Sequence, residues 1–284
     1  MVLYHVNGDL VPKDEATVSV RDRGFMYGDA AFETLRVYNG TPFALAAHLD
    51  RLAATCRAMA LDHGLTREDL RERIETTIAA NDVEEAYCKL SISRGPQPGT
   101  VTPDPVAEPT VVVYVAELPR GGTEGTPVWS DPATVEIAST QVPSDAALPA
   151  DAKTHNYLPN VIARANHPAA DEVLMGDAEG HLLEGAASNV FFVREETIHT
   201  PEATLDLLPG ITRDVVLDLA TPEYTTVEGT YHPDDLADAD EVFLTNSTWE
   251  IRPVTRVDDR SFAVGPVTRK LIDRFNRYIE DRHY

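Results

Sequence analysis

The chain has 284 residues, 24 Lys+Arg against 47 Asp+Glu for a formal charge of −23, and 43% apolar residues. That length and apolar content fit one large or two ordinary domains with a sizeable core, and exclude global disorder. No run approaches the roughly 18 apolar residues of a membrane span. A surface this acidic also repels phosphate backbones and anionic lipids, so neither nucleic-acid nor membrane binding is expected.

The opening MVLYHVNGDLVPKDE lacks the basic start and long apolar run of a signal peptide, which points to a cytoplasmic protein. Cys56 and Cys88 form no disulfide framework and no metal-ligand spacing, so buried free thiols and no metal site are expected. The bases comprise 20 Arg and only four Lys. An acidic, lysine-poor surface reads as halophilic adaptation to a salty cytoplasm, where screening makes self-repulsion tolerable.

In chain order, residues 2–11 alternate around Asn7-Gly8, a two-residue hairpin signal, and residues 31–43 repeat it around Asn39-Gly40. Leu45, Leu49, Leu52, Cys56 and Met59 share one helical face. Thr66, with Asp69 three residues on, opens a second helix reaching about Ala80. Residues 87–93 and 110–115 read as strands, joined by the proline-rich loop RGPQPGTVTPDPVAEP.

Gly and Pro cluster in ELPRGGTEGTP, which places a boundary there: a small N-terminal domain 1–117, a linker 118–127 and a larger C-terminal domain 128–284. In the second half, residues 135–138, 172–175, 190–193 and 242–245 read as strands. Residues 156–165, 212–220 and 266–279 read as helices. The fold class is therefore α+β in two domains.

If a lysine does covalent chemistry, only Lys13, Lys89, Lys153 and Lys270 are available. Lys13 sits in a polar turn, Lys270 in an Arg-rich C-terminal helix, and Lys89 within a strand. Lys153 ends a loop just ahead of a helix-like stretch, where position alone favours a surface lysine. Its neighbours shift that balance. KTHNYLPN is followed in order by LLEGAASNVFFV, LLPGITRDVV and EVFLTNSTWEIRPV, each an apolar lead followed by small or hydroxyl residues. Ile211-Thr212 after Pro209-Gly210 opens a helix whose N–H groups suit a phosphate, and Ser247 and Thr248 could add donors.

Over nearly its whole length, from RDRGFMYGDAAFETLRVYNG to TNSTWEIRPV, the sequence resembles the class IV aminotransferases, the fold-type IV pyridoxal phosphate enzymes. That group includes branched-chain and D-amino acid aminotransferases and aminodeoxychorismate lyase. The family pattern is met by Glu184, Asn189-Val190-Phe191, Thr200 and Ile211-Thr212-Arg213.

The resemblance implies pyridoxal 5′-phosphate as cofactor, with Lys153 as the Schiff-base lysine and proton-moving base. It makes Glu184 the partner of the pyridine nitrogen and Tyr157, taken as one helical turn beyond Lys153, the partner of the phenolic oxygen. Arg51, Ile211, Thr212, Ser247 and Thr248 would hold the phosphate, and Asn189 would brace Glu184 or the ring.

Tyr27 and Phe32 fall where the family lines its substrate pocket. Tyr87 matches a carboxylate-contacting tyrosine of the branched-chain enzymes, Lys89 replaces an arginine frequent there, and Arg94 resembles the carboxylate arginine of the D-amino acid and lyase branches. Thr34 matches a threonine implicated in the lyase. The implied activity is transfer of an amino group between an amino acid and a 2-oxo acid. The alternative is a lyase forming 4-aminobenzoate and pyruvate. A homodimer, and a cofactor cleft between the small and large domains, are implied with it.

Overall fold

The computed structural model describes residues 1–104, 108–120 and 127–284. Residues 121–126 of the expected linker, and 105–107 of the proline-rich loop, lie outside the described residues. The chain divides into two units. The first comprises Met1–Pro119, Ala152–Asn156 and His283; the second comprises Arg120–Asp151, Tyr157–Arg282 and Tyr284.

The first unit is built on β1 (Leu3–Val6), β2 (Asp9–Pro12), α1 (Arg23–Tyr27), β3 (Ala30–Tyr38), β4 (Thr41–Pro42), α2 (Leu45–Ala58), α3 (Arg67–Asn81), β5 (Ala86–Ser93) and β6 (Thr110–Glu117). Both expected hairpins form. Asn7 and Gly8, and Asn39 and Gly40, all take positive φ, as a two-residue turn between twisted strands requires. The six strands run in the order β2-β1-β6-β5-β3-β4.

Period-two alternation divides the sheet into two faces. Leu35, Cys88, Leu90, Ile92, Val113 and Val115 point one way and pack with Leu49, Leu52, Cys56, Ile74 and Ile78 of α2 and α3. Each such side chain, taken fully from water, contributes about 1.5–3 kcal/mol. Thr66 caps α3 in a reciprocal capping box with Asp69, as its spacing predicts. Both cysteines are free and buried; burial pushes the Cys56 thiol up to about 11 and Cys88 to about 12.

The second unit contains β7 (Ala133–Gln141), α4 (Leu158–Asn166), β8 (Glu172–Gly176), β9 (Leu182–Gly185), β10 (Asn189–Arg194), β11 (Thr197–Pro201), α5 (Ile211–Ala220), β12 (Thr226–Gly229), β13 (Glu241–Asn246), β14 (Glu250–Val257), β15 (Arg260–Ser261) and α6 (Pro266–His283). Its mixed sheet runs β12-β11-β10-β13-β14-β7-β8-β9, with β15 on β14. Val190, Phe192, Val242, Leu244 and Val254 form its core. Glu241 accepts from the N–H groups of Val267 and Thr268 at 3.1 and 2.7 Å, an anionic cap on α6. Arg120 is buried against Glu250, Glu280 and Asn276.

Candidate active site

In the first unit, the residues from 152 to 156 run along the edge of β3 opposite β5. The Phe32 N–H donates to the Lys153 carbonyl at 3.0 Å, Ala31 and Thr154 form a bridge, and the His155 N–H donates to Ala30 O at 2.9 Å. The Lys153 N–H donates to Thr55 Oγ1 at 3.0 Å. Asn156 Nδ2 donates to Gly28 O at 3.1 Å, and a Cβ on Gly28 would meet Asn156 Oδ1 at 2.6 Å. The candidate lysine is thus held by backbone pairing, a threonine and a side-chain clamp.

This pairing corrects the expected helical turn from Lys153 to Tyr157. The stretch is extended, Tyr157 is the N-cap of α4, and the helix begins at Leu158 with Pro159 in its first turn. The backbone groups that a turn of helix would have used are taken by β3.

The sheet face turned away from α2 and α3 carries the candidate substrate residues. Register sets Thr34 opposite Lys89 and Lys89 opposite Tyr114, and Phe32 opposite Ser91. Lys89 Nζ lies 4.3 Å and Lys153 Nζ 4.8 Å from the Phe32 ring centroid. His155 Nε2 is 3.2 Å from Ser91 Oγ, and its ring meets Phe32 edge-on at 5.4 Å. Burial, then the charge of Lys89, lowers His155 to about 4, so its imidazole is neutral at pH 7. The Tyr87 ring lies 5.8 Å from that of Tyr114, and burial pushes its hydroxyl far up. The Tyr4 ring lies tilted beside Tyr114, with centroids 5.3 Å apart. Tyr27 lies apart on α1, under the Arg23 guanidinium at 5.0 Å.

On the opposite face, Glu33 reaches into α2. It accepts from Arg51 Nε and NH2 at 2.8 Å each and meets His48 Nδ1 at 2.7 Å. Burial raises the Glu33 pKa, but the bonds from Arg51 and His48 outweigh it and hold the carboxyl at about 2. Arg51 is therefore an oriented guanidinium. The sequence reading missed Glu33 and His48, although the spacing of FETLR and HLDRL was visible.

Arg94 is anchored within the first unit. Only 7% exposed, it donates to Asp29 Oδ2 and to the carbonyls of Ala60 and Met59 at 2.8, 2.9 and 2.8 Å. Three of its five N–H groups thus join the end of β5 to Asp29 and to the end of α2.

In the second unit, Glu184 on β9 and Asn189 on β10 meet at one residue, Leu208. The Leu208 N–H donates to Glu184 Oε2 at 3.1 Å, and Asn189 Nδ2 donates to Leu208 O at 3.0 Å. Buried Glu172 supports the intervening turn, accepting from the Ala187 N–H and Ser188 Oγ at 3.1 Å each. Gly210 precedes α5, no side chain caps the helix, and the first N–H to bond back is that of Asp214, to Gly210 O at 3.0 Å. The earlier N–H groups, among them those of Ile211 and buried Thr212, are the first-turn donors of this helix start.

Thr248 is turned inward. Asn246 Oδ1 accepts from its N–H, from its hydroxyl and from the Trp249 N–H, with Ser247 half-buried in the same turn. Asn246 was not foreseen as the organiser of this turn. Of the remaining lysines, Lys270 pairs with Glu223, and Lys13 belongs to a short 3-10 turn.

Surface hollows of about 480 Å³ beside Arg57 and His63, and about 400 Å³ beside His5 and Arg73, contain none of these residues. Among the described residues no group of three or more His, Cys, Asp or Glu could hold a metal ion. Taken singly, an amine in the first unit suits an aldehyde, and in the second a fixed carboxylate suits a basic ring nitrogen and an uncapped helix start a phosphate.

Comparison with known proteins defines the class. The family model for amino-transferase class IV matches residues 30–257. The chain is 34% identical over 278 residues to a putative branched-chain-amino-acid aminotransferase of Methanocaldococcus jannaschii, covering 95% of this chain and 94% of that one. It is 30% identical over 291 residues to the D-alanine aminotransferase of Staphylococcus haemolyticus, covering 99% of each.

Among solved structures, the T.th. branched-chain amino acid aminotransferase complexed with N-(5′-phosphopyridoxyl)-L-glutamate matches with a TM-score of 0.90 and 29% identity, covering 99% of this chain and 94% of that one. The 4-amino-4-deoxychorismate lyase of Pseudomonas aeruginosa matches at 0.84 and 31%, covering 99% and 100%. The chain belongs to the class IV aminotransferases, and its α+β architecture is that of fold type IV.

Proposed function

We propose that the chain is a pyridoxal-phosphate-dependent aminotransferase, moving an amino group between an amino acid and a 2-oxo acid, with Lys153 as the cofactor lysine. The observation that carries the reading is the fixed edge strand that presents Lys153 beside Phe32 and Lys89. When bound, the cofactor supplies an electron-accepting ring that stabilises negative charge at the substrate Cα.

The chain's own residues do the rest. Lys153, its backbone clamped on both sides, carries the α-proton away and returns it. Glu184, fixed by the Leu208 N–H, holds a proton on the ring nitrogen by its negative charge. The α5 start at Ile211 and Thr212 accepts the phosphate with its N–H groups, and Arg51, oriented by Glu33, adds charge to the same task. Ser247 and Thr248, on the turn that Asn246 organises, and Tyr157 at the head of α4 complete the cofactor set. Phe32, Thr34, Tyr87 and Lys89 form the substrate-facing surface, with Tyr27 nearby in sequence.

Likeness to the lyase supports a second reading, release of pyruvate with formation of 4-aminobenzoate, with Thr34 on the substrate-facing side of β3. A substrate screen decides: L- and D-amino acids with 2-oxoglutarate or pyruvate, beside aminodeoxychorismate. Turnover of the last alone overturns the aminotransferase reading. Borohydride reduction and peptide mapping test the lysine; label on Lys13, Lys89 or Lys270 with Lys153 unmodified overturns it.

A homodimer in a saline cytoplasm belongs to the same proposal. Phe25 at 75%, Val20 at 76% and Leu158 at 66% are exposed apolar side chains in want of a cover. No helix among the described residues is long and apolar enough to cross a membrane.

A further inference from the structure

The turn from Gly185 to Ser188, between β9 and β10, is gripped by three side chains of its own unit. Glu172 on β8 is 1% exposed; it accepts from the Ala187 N–H and Ser188 Oγ at 3.1 Å each, and from the Val173 N–H at 2.9 Å. Asn246, at the end of β13, donates from Nδ2 to Ala187 O at 3.0 Å, and Asn160 on α4 donates to Ala186 O at 2.9 Å. The turn also closes on itself, the Gly185 N–H donating to Ser188 O at 2.6 Å. It has no room for a side chain at 185, where a Cβ would fall 2.2 Å from Ser188 Oγ and 3.1 Å from Glu172 Cγ. These clamps lead on to other parts of the site. Asn246 Oδ1 takes the Thr248 and Trp249 N–H groups. Asn160 lies three residues beyond Tyr157. Ser188 adjoins Asn189, whose amide donates to Leu208 O ahead of α5.

We propose that Glu172 is a positioning residue: by fixing the Gly185–Ser188 turn it sets Asn246 with the Ser247–Thr248 loop on one side, and Asn189 with the approach to α5 on the other. A buried carboxylate is costly unless hydrogen bonds replace its water. Burial raises the Glu172 pKa, and the bonds it accepts, with the charge of Arg164, oppose the rise. Both of its oxygens serve as acceptors, Oε1 for the Val173 N–H and Oε2 for the two donors of the turn. A glutamine has the same length but one acceptor oxygen, so its NH2 faces either the Val173 N–H or the donors at Ala187 and Ser188. Either way a buried donor goes unmet and the turn loosens. With Glu172 in place, the segments around the cofactor hold one arrangement before it binds. That consequence rests on the proposed function; the coupling between the turns does not.

Hydrogen exchange on the full-length protein, with and without pyridoxal 5′-phosphate, reads the coupling. In Glu172→Gln, peptides spanning 185–189 and 246–249 exchange roughly tenfold faster than in the wild type, while α6 keeps its rate. The second peptide is the informative one, because the route to it runs through Asn246. Ser188→Ala removes one donor and keeps the carboxylate. It shows the same pattern more weakly, so the coupling is read even if Glu172→Gln fails to fold. The Kd for pyridoxal 5′-phosphate rises roughly tenfold in Glu172→Gln and in Asn246→Ala. In the double variant it rises by less than the product of the two, since the second change acts on a turn already released. Wild-type exchange at 246–249 in the folded variants, acceleration shared equally by α6, or a strictly multiplicative Kd overturns the proposal. Faster exchange at both turns with an unaltered Kd would instead remove these segments from the cofactor site and leave the coupling standing.

Discussion

Replacing Glu33 by Gln keeps the shape of a wholly buried side chain and removes its charge. The native carboxylate, 0% exposed, takes three bonds of 2.7 to 2.8 Å from Arg51 and His48. A glutamine offers one acceptor oxygen and turns donors toward at least one of those partners. Breaking a buried ion pair from one side costs about 3–5 kcal/mol, because the remaining charge has no counterion.

The acidity of Glu33 gives a second measure. A carboxyl held at about 2 against 4.5 in the unfolded chain stores about 3 kcal/mol, at about 1.4 kcal/mol per pH unit. The folded pKa lies below the unfolded one, so this contribution is complete above pH 4.5 and is lost as the pH falls from there toward 2.

Hydrogen exchange read on peptides from β3 and α2 measures the effect where it arises. At neutral pH the variant should exchange there roughly two to four orders of magnitude faster, and it should lack the wild-type loss of protection between pH 4.5 and 2. Adding Arg51→Met should recover part of the cost, since the double variant buries no lone charge. Wild-type exchange in Glu33→Gln, or strictly additive costs in the double variant, would refute the reasoning.

Glu184→Gln should retain cofactor, seen by absorbance, while turnover falls by orders of magnitude; a wild-type rate would remove Glu184 from the ring nitrogen. Arg94→Met should cost about 3–5 kcal/mol in stability by leaving two carbonyls and part of Asp29 without their donor, with KM for amino acids little changed; a large rise in KM at unchanged stability would identify Arg94 as a carboxylate ligand instead. With 47 acids against 24 bases, the melting temperature should climb between dilute buffer and molar salt, as the Debye length shrinks from about 30 Å to about 3 Å. A stronger effect of sulfate than chloride at matched ionic strength would trace the gain to apolar burial instead of screening, and a flat profile would end the halophile reading.

Local signals were legible where one short segment decides the outcome. Asn-Gly at both hairpins, the Thr66–Asp69 box and the Gly210-Ile211 helix start depend on neighbours a few residues away, and each formed as its chemistry requires. The stretch after Lys153 was misjudged because its partner, the edge of β3, lies about 120 residues earlier in the chain. Periodicity carries no trace of such pairing. The contacts of Arg94 were equally hidden: its sequence neighbours say nothing of Asp29, Met59 and Ala60, which accept three of its N–H bonds. The catalytic candidates themselves were readable as an ordered set of motifs, whereas the groups that hold them, Glu33, His48, Glu172 and Asn246, are ordinary polar residues until the fold gives them partners.

The edge strand bearing Lys153 also bears on biosynthesis. When the first 119 residues leave the ribosome, the N-terminal half of β3 has no neighbour on the side that Lys153 and His155 will occupy. At about 5–20 residues per second the missing segment follows only after several seconds. During that interval the nascent sheet offers unpaired backbone groups flanked by Ala30, Ala31 and Phe32, a surface prone to pair with other chains. The reactive lysine is thus carried by the segment that closes this vulnerability, so that a chain interrupted before it is left both without its amine and inclined to aggregate.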